Sequence, residues 1–561
     1  MLPVLRMTKK TEVFKPKSTK YENYFLYFMP ILSGILIGTS YIPFPAWALG
    51  FCYLPLWWSV LKITETQETL PASQNKSYYQ KIFTQGWLTQ FILSLIGFNW
   101  LYYTASEFGQ LSSILSLIIL ILFAAFIHLY IPIALLIASY LKKKFKLKKI
   151  AFIFVIALCQ ILMERIWPSI FEWNLGYTLL WMKWPLAQWA DTVGFWGLSA
   201  WIFIFQAVLL VVIIFFKKNR LKSLSLMSTL LITTLSLWWW GQKKYHQVTR
   251  QLTEEVKVSI VQANVTNEEK LQSEKGYQYQ GYVINTYIET TKNHLQTHDK
   301  PDFILWPETA LPISLDQNFH QRPNQKIILD QLKFWQTNLV TGAYSQDLFK
   351  TDHLGQYLIR NSVFFLNQNG EVTPPYNKTD LLVFGEYMPL GEEMPFLYKL
   401  LPFVGTYERG PGPVIKTIIK TNGEQIHLGP QICYESLNPG FSRKLAKLGT
   451  DVIFNLTNDS WFGWWAEPYQ HMIMTLARGL ENRRPLVRST NTGISTVLLA
   501  NGDELPRSPI GEIWAGQYTV KYQKNPEITF YARLGYLDWI LWLLWLCFIL
   551  LRGRHAHTQK S

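Results

Sequence analysis

Apolar and polar positions divide the chain into two textures. Long apolar runs occupy 24–40, 44–61, 82–103, 111–141, 150–167, 194–216 and 223–240, and one more lies at 534–551. At a rise of about 1.5 Å per residue each predicts a helix across a hydrocarbon layer about 30 Å thick, the shortest being marginal. Between Val256 and Tyr522 the runs shorten and become β-branched. Alternation in Val256-Lys257-Val258-Ser259-Ile260-Val261 predicts a half-buried strand, and runs at 303–306, 339–342, 363–366, 426–432, 452–456, 486–489 and 496–500 predict more. Helical stretches at 276–298, 325–336, 442–449 and 467–481 separate them, and Asn369-Gly370 and Asn501-Gly502 mark hairpin turns. This mixture belongs to α/β or α+β domains. The expected organisation is a basic arm 1–21, a seven-span domain 22–245, a folded domain 250–525, a last span 533–552 and a tail 553–561, with 64–81 as the one linker-like piece.

Composition agrees: 49% hydrophobic and 16% aromatic residues are not expected of a single soluble domain. A net charge of +15 would ordinarily raise nucleic-acid binding. Here the densest basic runs, Lys142 to Lys149 and Lys217 to Arg220, flank apolar segments, which is a membrane-topology signal and excludes nucleic acid as the expected partner. Eight spans put both termini, 142–149 and 217–220 on one face, leaving the poorly basic loops 104–110 and 168–193 on the other. The folded domain is therefore expected outside. No small-residue cleavage site closes the first run, so it is read as an uncleaved span. Glu164 and Arg165, near the end of the fifth run, are read as interfacial structural residues rather than a lipid-path or substrate feature, since adjacent residues do not face each other on a helix. Of four cysteines, Cys52, Cys159 and Cys547 lie in apolar spans and match no metal-site spacing, so neither a disulfide framework nor a metal is expected.

Cys433 is the exception. It ends the apolar run 426–432, and a lone thiol there is either an inert buried hydrophobe or a nucleophile needing help to ionise. The same domain offers Glu308, at the exit of Ile304-Leu305-Trp306-Pro307, and Lys378, just before Phe384-Gly385-Glu386. A desolvated carboxylate takes the thiol proton, and an ammonium offsets the oxyanion of a tetrahedral intermediate, joined by the Tyr434 backbone N–H. Those parts suit acyl transfer through a thioester.

In their order and contexts, Trp306-Pro307-Glu308, Tyr376-Asn377-Lys378 with Phe384-Gly385-Glu386-Tyr387, and Ile432-Cys433-Tyr434-Glu435 resemble the Glu-Lys-Cys signature of the nitrilase (carbon–nitrogen hydrolase) superfamily. With seven spans before and one after, and with Asn458-Asp459-Ser460-Trp461-Phe462-Gly463 and Arg488-Ser489-Thr490-Asn491-Thr492-Gly493, the chain resembles the apolipoprotein N-acyltransferases along nearly its whole length. The resemblance implies a multi-span α-helical membrane domain carrying an external, periplasmic α-β-β-α sandwich in a bacterial inner membrane. It implies Glu308 as base, Lys378 as oxyanion stabiliser and Cys433 as the acylated nucleophile, with Glu386, Tyr434 and Glu435 in support. It also implies a phospholipid acyl donor, a lipid-modified apolipoprotein as acceptor, and no cofactor. Leu271, Asp380 and Val383 depart from the family pattern, in the substrate loop rather than the triad, and Ser460 stands for a more usual alanine.

The aromatic pieces Trp461-Phe462-Gly463-Trp464-Trp465 and Met394 to Val404 are read as loops dipping into the membrane interface, with Trp461, Phe462 and Trp464 as lipid-binding candidates; the other reading is core packing. Two rival functions remain, a membrane-anchored amidase passing its acyl group to water and a non-catalytic lipid-binding protein.

Overall fold

The computed structural model describes residues 20–558 apart from 69–74, 267, 271, 273–276, 316–322, 352–354, 356, 392, 401–403 and 536. Leu271, most of the basic arm and the end of the tail thus lie outside the described residues.

Helices stand near all eight predicted spans, with two corrections. The run 44–61 does not form one helix: residues 41–53 fold as turns and the helix is Leu54–Glu68. Pro43 and Pro45 each lack a donor N–H and push the preceding residue out of the α region, so helix starts only beyond them. The run 111–141 is two helices, Ser113–Phe126 and Tyr130–Lys144. The Pro132 ring competes with the carbonyl of residue 128, four positions back. Trp87 and Gln90 donate to the Ala125 carbonyl and Trp167 to that of Ile127, satisfying the freed acceptors. The remaining helices are Lys20–Gly38, Asn75–Gly97, Lys149–Ile166, Ala190–Phe216, Arg220–Gln251 and Leu537–Thr558. By length and apolar composition alone, three stretches among the described residues are fit to cross a membrane: Ser113–Lys144, Pro185–Phe216 and Arg220–Gln251. Ile114, Leu122, Leu221, Ile232, Trp239 and Leu544 are exposed on these and the last helix, an apolar surface that a bilayer covers. Glu164 is buried and accepts from Ser199 (2.9 Å), while the Arg165 guanidinium lies over the Trp196 ring.

The Arg220–Gln251 helix outlasts its apolar part and leads into the second domain. Among the described residues that domain has eleven strands: β1 Glu254–Gln262, β2 Phe303–Leu305, β3 Asn338–Thr351, β4 Tyr357–Leu366, β5 Tyr376–Asn377, β6 Lys416–Ile419, β7 Gln425–Ile432, β8 Val452–Thr457, β9 Leu486–Thr490, β10 Thr496–Leu498 and β11 Trp514–Tyr522. They form two sheets, ordered β11-β1-β2-β3-β4-β5 and β10-β9-β8-β7-β6. Alternation assigns the faces: Val258, Leu305, Val340 and Phe365 meet Leu428, Val452, Phe454 and Val487 between the sheets. Their neighbours Ile304, Leu339 and Phe364 point outward onto helices Tyr277–Leu295 and Pro323–Trp335. On the opposite outer face Ile453, Leu486 and Leu498 pack against helix Glu467–Asn482 and the membrane domain together. The result is the α-β-β-α sandwich.

Helix Glu467–Asn482 is buried along its length except at Tyr469. Gln470 donates to the carbonyls of Ile42 and Gly97 (2.8 and 2.9 Å), Arg478 to the Tyr177 hydroxyl (2.8 Å), and Glu481 accepts from the Phe195 amide (3.1 Å). Burying these groups is tolerable only because each is paired.

Candidate active site

Strand exits place the site. Glu308 follows β2 on a segment laid directly against β3, where a Cβ on Gly342 would stand 2.4 Å from the Thr309 nitrogen and 2.7 Å from the Glu308 Cα. Only glycine permits that approach. Lys378 follows β5, its amide bonded to the Asn361 carbonyl of β4 (2.8 Å). Cys433 caps β7 at the start of a 3-10 turn, Cys433–Leu437, with φ at +47°. A non-glycine residue held there stores roughly 1–3 kcal/mol, and such strain clusters at functional positions.

Glu308, Lys378 and Cys433 are buried and line one cavity of about 710 Å³, with Asn361, Glu386 and Trp461 in its wall. Lys378 Nζ donates to Glu308 Oε1 (3.2 Å) and Glu386 Oε1 (2.8 Å). Asn361 Nδ2 bridges the same two oxygens (2.7 and 3.1 Å), and Glu386 Oε2 accepts from the Leu382 amide. Burial opposes the ammonium of Lys378, but Glu308 and Glu386 outweigh it and hold its pKa well above the ordinary lysine value, so it is a fixed cation. Burial, joined by the Glu308 carboxylate, raises the Cys433 thiol; Lys378 and a hydrogen bond from Thr457 act the other way without cancelling it. At neutral pH the thiol is therefore protonated at rest, and its proton must leave during attack rather than before it.

Glu435 ties the lysine loop to the nucleophile. Its Oε1 accepts from the Tyr376 hydroxyl (2.5 Å), the Thr379 amide (2.6 Å) and the Asp380 amide (3.3 Å), and Oε2 from the Ile432 amide (2.7 Å). Burial pushes this carboxyl up to about 8, and those donors restrain it. Tyr434 donates to the Ile170 carbonyl of the membrane domain (2.7 Å). Asp380 accepts from Asn438 (2.8 Å), bracing the same loop.

The aromatic candidates divide. Phe462 lines the cavity yet is buried against Trp100 and Phe171 at the domain junction, a packing position. Trp464 and Trp465 are about half exposed, and Trp461 also borders a second cavity of about 750 Å³. Asn361 escaped the sequence reading, since a polar residue inside an apolar strand gives no local sign that two distant carboxylates converge on it. Asp459, Glu467 and His471 place ligand atoms within 4.8 Å of one another, but Asp459 already holds the Arg488 guanidinium at 2.7 Å, which opposes a second cation.

Residues 235–518 match the carbon-nitrogen hydrolase family, and residues 33–208 the apolipoprotein N-acyltransferase N-terminal domain. The chain is 46% identical to the apolipoprotein N-acyltransferase of Bdellovibrio bacteriovorus over 95% of this chain and 94% of that one. It is 27% identical to that of Geobacter metallireducens over 90% and 92%. Among solved structures, a carbon-nitrogen hydrolase from Helicobacter pylori G27 is similar at 14% identity and a TM-score of 0.34, over 48% of this chain and 90% of that one.

Proposed function

Because the chain belongs to the apolipoprotein N-acyltransferase family and is thus a membrane N-acyltransferase, we propose that Cys433 carries the acyl group between a phospholipid and the α-amine of diacylglyceryl-cysteine at an apolipoprotein N-terminus. The Cys433 sulfur attacks the phospholipid ester carbonyl while Glu308 takes the thiol proton. Lys378 stabilises the oxyanion, and collapse expels the lysophospholipid alkoxide, which regains the proton from Glu308. The amine then attacks the thioester, Glu308 takes its proton, and the departing thiolate recovers that proton. Glu386 and Asn361 orient Lys378 and Glu308, Glu435 holds the lysine loop to the nucleophile, Trp461 and Trp464 form the lipid-facing side, and Phe462 packs behind them. The observation that carries this reading is the convergence of Glu308, Lys378 and Cys433 on one cavity beside the membrane domain.

The acceptor separates transferase from hydrolase. Water is present at about 55 M, yet a lipidated amine shares the donor's bilayer, and its local concentration and orientation favour aminolysis. The isolated Cys433 acyl-enzyme should decay slowly alone and discharge rapidly on a lipidated N-terminal cysteine peptide with a free α-amine. Acetylating that amine should leave the acyl group in place. Decay at one rate under all three conditions would assign the acceptor role to water.

We further place the catalytic domain on the periplasmic side of a bacterial inner membrane, with eight spans, on the strength of the basic loops. Reporter fusions after Lys149 and Lys222 are expected to read cytoplasmic and one near Asn369 external; an internal signal at Asn369 overturns the topology.

A further inference from the structure

Behind the nucleophile, away from the cavity, lies a polar network that the proposed chemistry does not use. Arg488 on β9 is fully buried. It donates to Asp459 Oδ2 (2.7 Å), Asn455 Oδ1 (3.1 Å) and Thr475 Oγ1 (3.0 Å). A guanidinium only donates, so Thr475 must accept and pass its own proton on. Its hydroxyl lies 2.7 Å from that of Ser436, and Ser436 donates to the Cys433 carbonyl (2.8 Å). One arm thus runs from Arg488 through Thr475 and Ser436 to the backbone of the strained nucleophile, every bond pointing the same way.

The second arm reaches the sulfur. Parallel pairing of Ile432 with Leu456 sets Thr457 beside Cys433, so that the Thr457 hydroxyl is a neighbour of the Cys433 sulfur. The same hydroxyl lies 3.4 Å from Asp459 Oδ1, a long contact, and Asp459 is further held by His471 Nδ1 (3.0 Å). The Thr457 proton therefore has two acceptors, Asp459 and the sulfur, and the Arg488 and His471 contacts weaken the claim of Asp459. Buried ion pairs are seldom the most stable filling of a core, so stability alone gives little reason for one beneath the nucleophile.

We propose that Arg488 is a positioning residue for the acyl transfer: through Thr475 and Ser436 it fixes the Cys433 carbonyl, and through Asp459 it leaves the Thr457 hydroxyl free to donate to the Cys433 sulfur as the thiolate develops. This rests on Cys433 being the acylated nucleophile. The charged and titratable groups facing the thiol are Glu308, Glu386 and Lys378 from the cavity side, Tyr434 and Glu435 from its own turn, and Asp459, His471 and Arg488 from behind.

The test reads the thiol directly. Full-length protein in detergent is treated with iodoacetamide across a pH series, and Cys433 is followed by peptide mass mapping, which separates it from Cys52, Cys159 and Cys547. Thr457→Val keeps shape and removes the donor. Alkylation of Cys433 near neutral pH should fall about tenfold and the whole profile move to higher pH by about one unit, the usual worth of one hydrogen bond to a charged group. Thr457→Ser should restore it. A purely structural role would instead lower the melting temperature and leave the profile in place. Arg488→Lys keeps the charge but loses the forked donation, and the same upward shift is expected; if Thr457→Val does not fold, Arg488→Lys decides. A profile that superimposes on wild type in the folded variant, or a Thr457→Ser that fails to restore it, overturns the proposal. Absence of an acyl group on wild-type Cys433 would instead sink the proposed function, an outcome this readout does not depend on.

Discussion

Cys433→Ala is expected to form no acyl-enzyme with phospholipid and to lose turnover by about 10⁴-fold or more, the scale seen when a covalent nucleophile is removed. Among the described residues the cavity holds no second thiol. The other three cysteines lie outside the sandwich domain, Cys52 and Cys159 buried and Cys547 exposed on the last helix. Of the neighbouring hydroxyls, Tyr434 donates to the Ile170 carbonyl and Ser436 is committed to the Cys433 carbonyl and to Thr475. Cys433→Ser should keep a trace at best, because a hydroxyl is far less acidic than a thiol already raised by burial. Intact-mass measurement after incubation with phospholipid checks both variants through a hydroxylamine-labile acyl adduct. Wild-type N-acylation of a lipidated peptide by Cys433→Ala would end the covalent mechanism.

The second large effect belongs to Glu308→Gln. The amide oxygen still accepts from Lys378 and Asn361, and Glu386 still neutralises Lys378, so the packing of the site survives. Only the base is gone, and acyl-enzyme formation should fall by about 10²–10⁴-fold. The pH dependence gives this a sharper form. Below the raised pKa of Cys433 the thiolate fraction grows about tenfold per pH unit, so the slow variant should recover steadily as pH rises. Rapid-quench measurement of acylation between neutral and mildly alkaline pH distinguishes the outcomes: a deficit that narrows with pH supports the base role, and acylation at the wild-type rate at neutral pH removes it.

The site was legible in sequence to unequal depth. Glu308, Lys378 and Cys433 sit in short recognisable contexts, and Glu308 and Cys433 each follow a strand that the pattern predicts, because β-strand exits are where a sheet presents side chains to a cavity. Asn361 carried no such mark, and Arg488, though it opens a stretch that resembles the family, gave no sign of its role, because Val487-Arg488-Ser489 reads locally as the polar end of a strand. What makes each informative is a partner far away in the chain: Glu308 is 53 residues before Asn361, and Asp459 is 29 before Arg488.

Hydrophobic periodicity by itself separated a membrane helical domain from an α/β or α+β domain and located most strands, because burial of one face is written at a spacing of two or of three to four residues; the Asn-Gly pairs marked the two hairpin turns, and the sandwich was implied only by the family resemblance. It underestimated β3 and β4, and it missed β5, β6 and β11, whose polar or short segments become strands through pairing with neighbours. It carried the second span back over Pro45 to Phe44, and it ended the seventh near Trp240 although helix continues to Gln251. There Lys244 pairs with Asp191, and Tyr245 donates to Asp503 (3.0 Å), contacts with the second domain and its junction. Helix Glu467–Asn482 is the clearest case. Its polar positions predict an exposed face, and the tertiary structure buries that face against the membrane domain by giving Gln470, Arg478 and Glu481 partners there. Local pattern specifies which residues avoid water, but a polar group is buried or exposed according to whether a distant partner satisfies it, and only the assembled fold decides that.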